Sequence, residues 1–311
     1  MKRYFSSFLM LIAAAIWGFA FVAQKEAAAV PAFTLVFARS LLGTVFLFFL
    51  IMLLDRVLKT GRRLVSKKGL DFTKTEIIGG AACGIVLSLA SVLQQTGMNN
   101  GTDAGKSAFI TALYVVLVPI FGLILKRRAP INAWISVAIA VVGFYLLCIT
   151  DGFSLEFSDA LVLLCAVVFA VHILVIDRFS PRCDGVRMSC IQFAVVTVVT
   201  LIFSLILESP MKIDAIGSAI WPIVMLGIGS SGIAYTLQIV AQRNVNPAVA
   251  SVIMSLESVF GFLGGVIVLG ETMSTRQYIG CAIVFAAVLL SQLDFTSLGK
   301  KKSAEKSRNL T

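Results

Sequence analysis

The stretch "FTLVFARSLLGTVFLFFLIMLL" (33–54) decides the class of this protein, because it is long, apolar and broken by a single charge, Arg39. A helix of about 20 apolar residues crosses the roughly 30 Å hydrocarbon core of a bilayer. Similar stretches recur along the chain at 4–23, 77–98, 104–125, 133–149, 160–176, 188–207, 220–240, 247–269 and 278–293. We therefore predict an all-α integral membrane protein with ten transmembrane helices.

Composition and charge agree with this class and exclude others. Of the 311 residues 59% are hydrophobic and only 14% are charged, whereas soluble domains carry about a quarter charged residues. With the N-terminus inside, 21 Lys and Arg residues fall on inner segments and four on outer segments. This bias predicts a multi-pass protein of the bacterial inner membrane with both termini cytoplasmic. It also accounts for the net charge of +10 without a nucleic-acid partner.

The chain carries an internal repeat at an offset of 144 residues. The segment "LQQTGMNNGTDAGKSAFITALY" (93–114) aligns with "LQIVAQRNVNPAVASVIMSLES" (237–258), and identities continue beyond both ends. We predict two five-helix units, residues 1–150 and 151–294, followed by a basic cytoplasmic tail at 295–311. An odd number of spans inverts the second unit, and inverted repeats are typical of secondary transporters with a substrate site near the midplane.

The repeat also contains a polar stripe. Ser107, Thr111 and Tyr114 are spaced i, i+4 and i+7, so they share one helix face. Their images at the 144-residue offset have the same spacing and are Ser251, Ser255 and Ser258. Small polar residues often hold transmembrane helices together, so the stripe indicates either helix packing or the lining of a cavity.

The ordered set of motifs resembles the EamA-like branch of the drug/metabolite transporter superfamily. The motifs are "IWGFAFVAQKEA" (16–27), "PAFTLVFARSLLG" (31–43), "SGIAYTLQIVAQRNVNPAVASVIMSLESVFGFLGGVIVLGET" (231–272) and "YIGCAIVFAAVLL" (278–290). The resemblance implies ten helices in two inverted repeats, with a central cavity lined by helices 1–4 and 6–9. It also implies transport of small organic solutes, often export driven by proton or solute gradients. Two departures are Lys126–Arg127, where the family often has Gly-Glu, and Ser258, where it often has Pro.

Two charges lie at similar depth in the membrane, one in each repeat. Glu257 lies ten residues after Pro247, and at 1.5 Å per residue it is ~15 Å deep; Arg39 lies eight residues after Pro31, so it is ~12 Å deep. Charges inside a membrane usually pair or line water. We predict either an Arg39–Glu257 pair or a shared wet cavity. The pair would be a static salt bridge, or else Arg39 binds a carboxylate of the substrate while Glu257 exchanges protons.

Several further side chains are candidates for the same site. His172, the single histidine, could titrate near neutral pH, or it could be a satisfied histidine between helices. Gln94 and Gln238 are repeat mates at opposite mouths of the predicted cavity. The predicted substrate-binding residues are Arg39, Trp17, Ser107, Thr111, Tyr114, Tyr235, Gln238, Ser251, Ser255 and Ser258, and the predicted proton-coupling residues are Glu257 and His172.

These features favour a secondary active transporter that exports a small organic metabolite, such as an amino acid, by alternating access. A multidrug or cation exporter and a passive facilitator remain alternatives. The chain contains no GxxxxGK[ST] nucleotide loop, and one histidine with one mid-span acid does not favour an enzyme. We expect no cofactor and no metal. The expected partners are a small organic solute, the lipid bilayer and a coupling species that is a proton or an exchanged solute.

Overall fold

The computed structural model describes residues 2–57, 71–127, 129–148, 156–208, 213–270 and 272–293, and within these ranges the regular structure is helical, with no strand. The predicted tail at 295–311 and most of the basic connection between Asp55 and Glu76 lie outside the described residues. The helices are α1 (Lys2–Glu26), α2 (Ala32–Val57), α3 (Lys74–Asn99), α4 (Ala104–Ala112), α5 (Tyr114–Ile124), α6 (Ile131–Cys148), α7 (Phe157–Phe179), α8 (Gly185–Leu207), α9 (Ile213–Ser218), α10 (Ile220–Val224), α11 (Tyr235–Gln242), α12 (Pro247–Met254), α13 (Leu256–Leu269) and α14 (Thr275–Gln292).

Eight helical segments of the described chain are long and apolar enough to cross a membrane. They are Tyr4–Glu26, Ala32–Arg56, Lys74–Asn99, Ala104–Ile124, Phe157–Arg182, Gly185–Leu207, Ile220–Gln242 and Pro247–Val268. Ile131–Leu147 is a shorter apolar helix. Each coincides with a stretch predicted from the sequence, and the last predicted stretch forms α14, which spans ~27 Å at 1.5 Å per residue.

Local sequence signals begin several of these helices. The Thr73 hydroxyl accepts the backbone N–H of Glu76, whose carboxylate in turn accepts the N–H of Thr73, so α3 begins with a reciprocal capping box. The Asn246 side chain accepts the N–H of Ala248 directly before α12, and Pro247 occupies the first helical position. These caps satisfy backbone donors that the hydrocarbon core cannot satisfy.

Three predicted spans are not continuous α-helices. The fourth is divided at Leu113, between α4 and α5, and the ninth at Ser255, between α12 and α13. The eighth contains a ten-residue π-helical segment, Met225–Ala234, between α10 and α11. Glycine-rich sequence has low helix propensity, and π turns relax the backbone and often occur at functional sites. The sequence "MLGIGSSGIA" of this π segment, with its three glycines, permits the irregularity.

The helices pack in a set of long pairs. α3 lies against both α7 and α8, α2 lies against α8 and the π segment, and α1 lies against α13 and the π segment. α6 and α14 pack on each other, and a Cβ on Gly280 would lie 2.7 Å from the carbonyl oxygen of Gly143. The backbones of these two helices are therefore in direct contact, which only the absence of a side chain permits.

Polar contacts define two faces of the bundle. At the N-terminal face, where α1 begins, the Ser7 hydroxyl donates to Gln292 at 2.7 Å, and Arg187 forms an ion pair with Asp55 at 2.9 Å. At the opposite face, the Glu208 carboxylate accepts the backbone N–H groups of Phe33 and Thr34 and so caps α2. Between these two polar belts the bundle surface is apolar, as lipid contact requires.

Candidate functional site

A cavity lies in the middle of the bundle, between helices of both halves of the chain. Its volume is about 30 Å³, room for about two water molecules, so the walls must move apart before a small organic molecule can enter. Its walls come from α1, α2, α3, α4, α5, α7, the π segment, α11, α12 and α13. The lining residues are Trp17, Ala20, Phe21, Gln24, Arg39, Gln94, Thr111, Tyr114, Phe169, Ile173, Ser230, Tyr235, Gln238, Met254 and Glu257. All of these except Phe169 are buried.

Arg39 reaches the cavity from the middle of α2. Its relative exposure is 4%, and its Nε atom has no hydrogen-bond acceptor in the described part of the chain. Across the described ranges, no acidic group forms an ion pair with it within 4.0 Å. A guanidinium group that is buried without a carboxylate partner is costly. The side chain is therefore free to bind an anionic group from outside the chain.

Glu257 reaches the cavity from the second residue of α13, directly after the break at Ser255. Its side chain lies beside the hydroxyl of Tyr114, the first residue of α5 after the break at Leu113. Neither Glu257 Oε1 nor the Tyr114 hydroxyl has a partner with hydrogen-bond geometry among the described residues. The two helix breaks thus bring an acid and a phenol to the cavity wall, and both retain capacity to bind a ligand.

Aromatic rings form one side of the cavity. The Trp17 and Tyr235 rings meet edge to face with centroids 4.8 Å apart. Phe193 and His172 support Tyr235 from behind, at 5.4 Å and 6.0 Å between centroids. Trp17 Nε1 has no acceptor among the described residues. This wall therefore offers both an apolar surface and a free hydrogen-bond donor.

Three glutamines mark the two ends of the cavity. At the end of the cavity away from the N-terminal face, Gln94 Nε2 donates to the hydroxyl of Thr111 at 3.0 Å, and Gln24 of α1 lines the same cavity. Toward the N-terminal face, Gln238 Nε2 lies 3.4 Å from Gln242 Oε1, and Gln242 donates to the carbonyl of Ile173 at 2.6 Å. The Oε1 atoms of Gln24 and Gln238 have no donor within the described ranges. Both ends of the cavity can therefore bind polar groups.

The structure brings seven of the twelve predicted site residues to this cavity. They are Trp17, Arg39, Thr111, Tyr114, Tyr235, Gln238 and Glu257. Ser251, Ser255 and Ser258 are not among the lining residues, and each hydroxyl donates to the carbonyl three residues earlier in the chain. Ser107 is buried away from the cavity.

His172 also lies outside the cavity wall. Its Nε2 atom lies 3.0 Å from Gln192 Oε1, and its Nδ1 atom has no partner among the described residues. The histidine ring packs against the ring of Tyr235, which itself lines the cavity.

Several cavity residues were not predicted from the sequence. Phe21 and Gln24 follow Trp17 at i+4 and i+7, so the helix periodicity of α1 contained the signal. Ser230 lies in the π segment, where the ordinary helix period does not assign a face. Phe169 belongs to a stretch of α7 that is apolar apart from His172, and no pattern there distinguishes the cavity side from the lipid side.

A bundle of apolar helices around a buried polar cavity is the architecture of an integral membrane transport protein. The sequence profile of the EamA-like transporter family matches residues 5–149 and again residues 156–293. The chain therefore belongs to the EamA-like transporter family, and the resemblance seen in its motifs is confirmed.

Two curated relatives agree with this assignment, and a solved structure shares the fold. An uncharacterized transporter of Archaeoglobus fulgidus is 30% identical over 227 residues, which cover 73% of this chain and 70% of that protein. An uncharacterized transporter of Haemophilus influenzae is 31% identical over 142 residues, which cover 46% of this chain and 83% of that protein. One solved crystal structure superposes with a TM-score of 0.73 over 93% of this chain and 97% of its own, at 16% identity, and so shares the fold.

Proposed function

We propose that this protein is a secondary active transporter that exports a small organic solute bearing a carboxylate and an amine, such as an amino acid. Transport would proceed by alternating access between two inverted five-helix repeats, residues 1–150 and 151–294. The observation that carries the proposal is that Arg39 and Glu257 line the same cavity without an ion pair between them in the described structure. A zwitterionic solute supplies an oppositely charged group to each of them.

The packing of the helices supports the repeats. In the proposed repeat, each span of the first unit corresponds to the span five places later. The third span, α3, corresponds to the eighth, and α7 and α8 correspond to α1 and α2. The contacts of α3 with α7 and α8 therefore predict contacts of the eighth span with α1 and α2. Both sets of contacts are present. The pairs α2–α8 and α6–α14 each join a helix to its own mate. The family profile matches the chain twice, in two segments that agree with the two proposed units.

The chemistry of the cavity favours an amino acid or a related solute. A guanidinium group binds a carboxylate through two parallel hydrogen bonds, which suits Arg39 to the carboxylate of the solute. Glu257 suits an ammonium group, and the low dielectric of the buried site strengthens both contacts. Trp17 and Tyr235 offer an apolar face to a side chain.

Glu257 is also the proposed coupling group. When a solute occupies Arg39 and its ammonium occupies Glu257, a proton cannot occupy the same carboxylate, so proton and solute compete for one site. Release of the solute on one side then favours protonation of Glu257, which resets the carrier.

We place both termini in the cytoplasm of a bacterial cell because of the Lys and Arg bias of the connecting segments. His172, behind Tyr235, would influence coupling through that ring rather than by direct contact with the solute.

A multidrug or cation exporter is the second candidate, and the aromatic wall favours it. A cation is attracted to the faces of Trp and Tyr rings, and Trp17, Tyr114 and Tyr235 line the same cavity as Glu257. In this case Arg39 would not contact the solute. The two candidates therefore differ in their dependence on Arg39.

Ligand-dependent thermal stability of the purified protein separates the candidates. The ligands are amino acids, monocarboxylates and organic cations, and the variants are Arg39→Gln and Glu257→Gln. Stabilisation by amino acids that both variants abolish supports the zwitterion proposal. Stabilisation by cations that survives Arg39→Gln supports the cation exporter instead. Uptake into proteoliposomes that rises linearly with solute concentration, without saturation, would contradict both and indicate a passive facilitator.

A further inference from the structure

A second concave surface lies on the outside of the bundle, between the C-terminal parts of α5 and α7. Its walls are Phe121, Ile124 and Leu125 from α5 and its end, and Val171, Leu174 and Val175 from α7. It is open to the exterior and has a volume of about 820 Å³, compared with about 30 Å³ in the central cavity. We call this surface the α5–α7 groove. Ile124 and Leu125 are 74% and 61% exposed, so in the membrane its walls face lipid.

The length and direction of the groove match one leaflet of a bilayer. It extends along α7 from Val171 to Phe179, which is ~12 Å at 1.5 Å per residue. Half of the hydrocarbon core is ~15 Å thick. The apolar part of the groove therefore runs from the N-terminal face toward the bilayer centre, in the direction of an acyl chain.

Basic side chains lie at the end of the groove nearest the N-terminal face. Arg127 contacts Asp177 at 3.4 Å and still has half of its side chain exposed. Arg178 is exposed, and within the described ranges no acidic side chain lies within 4.0 Å of it. Lys126, next to Arg127 in the chain, is also exposed. Among the described residues that line the groove, two bases, Arg127 and Arg178, thus accompany one acid, Asp177, at the level of lipid headgroups.

We infer that the α5–α7 groove is a binding site for an anionic phospholipid in the leaflet at the N-terminal face. The phosphate contacts Arg178 and the free edge of Arg127, and one acyl chain lies against Val171, Leu174 and Ile124. Basic pockets between transmembrane helices bind anionic headgroups in this manner. The apolar walls assign the ligand to a lipid, because a soluble phosphate would leave them uncovered. The inference rests on the membrane location of the chain and does not depend on the proposed solute.

The groove shares α7 with the central cavity. Phe169 and Ile173, four residues apart, line the cavity, whereas Leu174 and Val175 line the groove. A lipid between α5 and α7 therefore contacts the outer side of the same helices that form the cavity wall. Its presence limits how closely α5 and α7 can approach each other, so bound lipid is expected to affect any movement of that wall.

Native mass spectrometry of the full-length protein tests the site. The protein is equilibrated with mixed phosphatidylglycerol and phosphatidylcholine, and the retained lipid is counted. We expect wild type to retain one phosphatidylglycerol in preference to phosphatidylcholine. Arg178→Gln should lower this preference about fivefold, since one basic side chain near an anionic lipid accounts for about that factor. Val171→Trp, which fills the groove without changing its charge, should reduce retention of both lipids.

Two matched variants serve as controls. Arg243→Gln removes an exposed arginine outside the groove, and Val198→Trp enlarges an exposed residue of α8 outside it. Both should retain lipid as wild type does. Equal loss in Arg178→Gln and Arg243→Gln would overturn the proposal, because it would indicate general surface charge. Displacement of the retained lipid by inorganic phosphate would also overturn it, because it would indicate a site for the free anion.

Discussion

Arg39 and Glu257 line one cavity from opposite halves of the chain, yet no ion pair of 4.0 Å or less joins them in the part of the chain that the structure describes. A charge at the centre of a membrane helix costs at least ~2.5–3.5 kcal/mol on insertion scales. Arg39 and Glu257 do not form a static salt bridge with each other that would offset this cost. Retention of both groups therefore requires another explanation, and binding of a charged solute provides one.

Arg39→Met is expected to stabilise the protein and abolish transport. Replacement of a buried, uncompensated charge by an apolar side chain of similar volume is often stabilising, and we expect a rise of about 2–8 °C in the apparent Tm. Thermal unfolding in detergent and solute uptake into proteoliposomes measure the two effects. A fall in apparent Tm would show that Arg39 has a structural partner.

Arg187→Met provides the matched control for that experiment. Arg187 is also a buried arginine, but it contacts Asp55 at 2.9 Å and lies at the N-terminal face, outside the cavity. Its removal leaves the acid without this partner, and we expect a loss of about 1–3 kcal/mol in the free energy of unfolding. The two substitutions should therefore shift the apparent Tm in opposite directions.

Glu257→Gln is expected to remove the pH dependence of transport. Glutamine has nearly the same shape but cannot bind or release a proton, so a carrier that couples through this carboxyl loses its response to an imposed pH gradient. Exchange of solute across the membrane without a gradient should persist if the amide still accepts the ammonium group. Glu76→Gln, which changes a buried acid at the N-terminal face, should keep the pH dependence. A wild-type pH profile in Glu257→Gln would rule out the coupling role.

The sequence predicted the helices and the two mid-membrane charges well, because both depend on properties of single residues and their spacing. Every apolar stretch is helical over its described residues, and Arg39 and Glu257 line the same cavity.

The serine stripe shows that residue spacing alone does not predict which helix face lines a cavity. Ser251, Ser255 and Ser258 share a face, but a serine in a helix can satisfy its hydroxyl on its own backbone. A shared face therefore does not require a cavity.

The irregular segments are the second feature that could not be predicted from the sequence. The π segment and the breaks at Leu113 and Ser255 lie inside apolar stretches that read as continuous helices. Their positions depend on packing against neighbouring helices, as where Gly227 and Gly232 lie close to Leu42 and Phe46 of α2. Periodicity along one helix does not contain that information, so Ser230 was not predicted as a cavity residue.

Asp159→Asn is expected to open the cavity toward the face of the bundle opposite the N-terminal face. The Asp159 carboxylate, which is almost fully buried, accepts from Lys106 and from the Thr102 hydroxyl and so joins α7 to α4 and to the loop before it. Loss of the charge weakens these contacts. A cysteine introduced as Gln24→Cys should then react faster with a membrane-impermeant maleimide added at that face. The Gln24→Cys protein with Asp159 intact gives the baseline, and an unchanged rate would show that these contacts do not hold the cavity closed.

Gly280→Ala is expected to destabilise the protein, whereas Gly217→Ala should not. A Cβ at position 280 would lie 2.7 Å from the carbonyl oxygen of Gly143 and 2.8 Å from the nitrogen of Leu147, so α6 and α14 would have to separate. Overpacking of this kind costs about 1–3 kcal/mol. A Cβ at position 217 would have no neighbour within 4 Å, and this variant controls for the loss of glycine itself. The apparent Tm in detergent measures both, and equal values would contradict the close approach of α6 and α14.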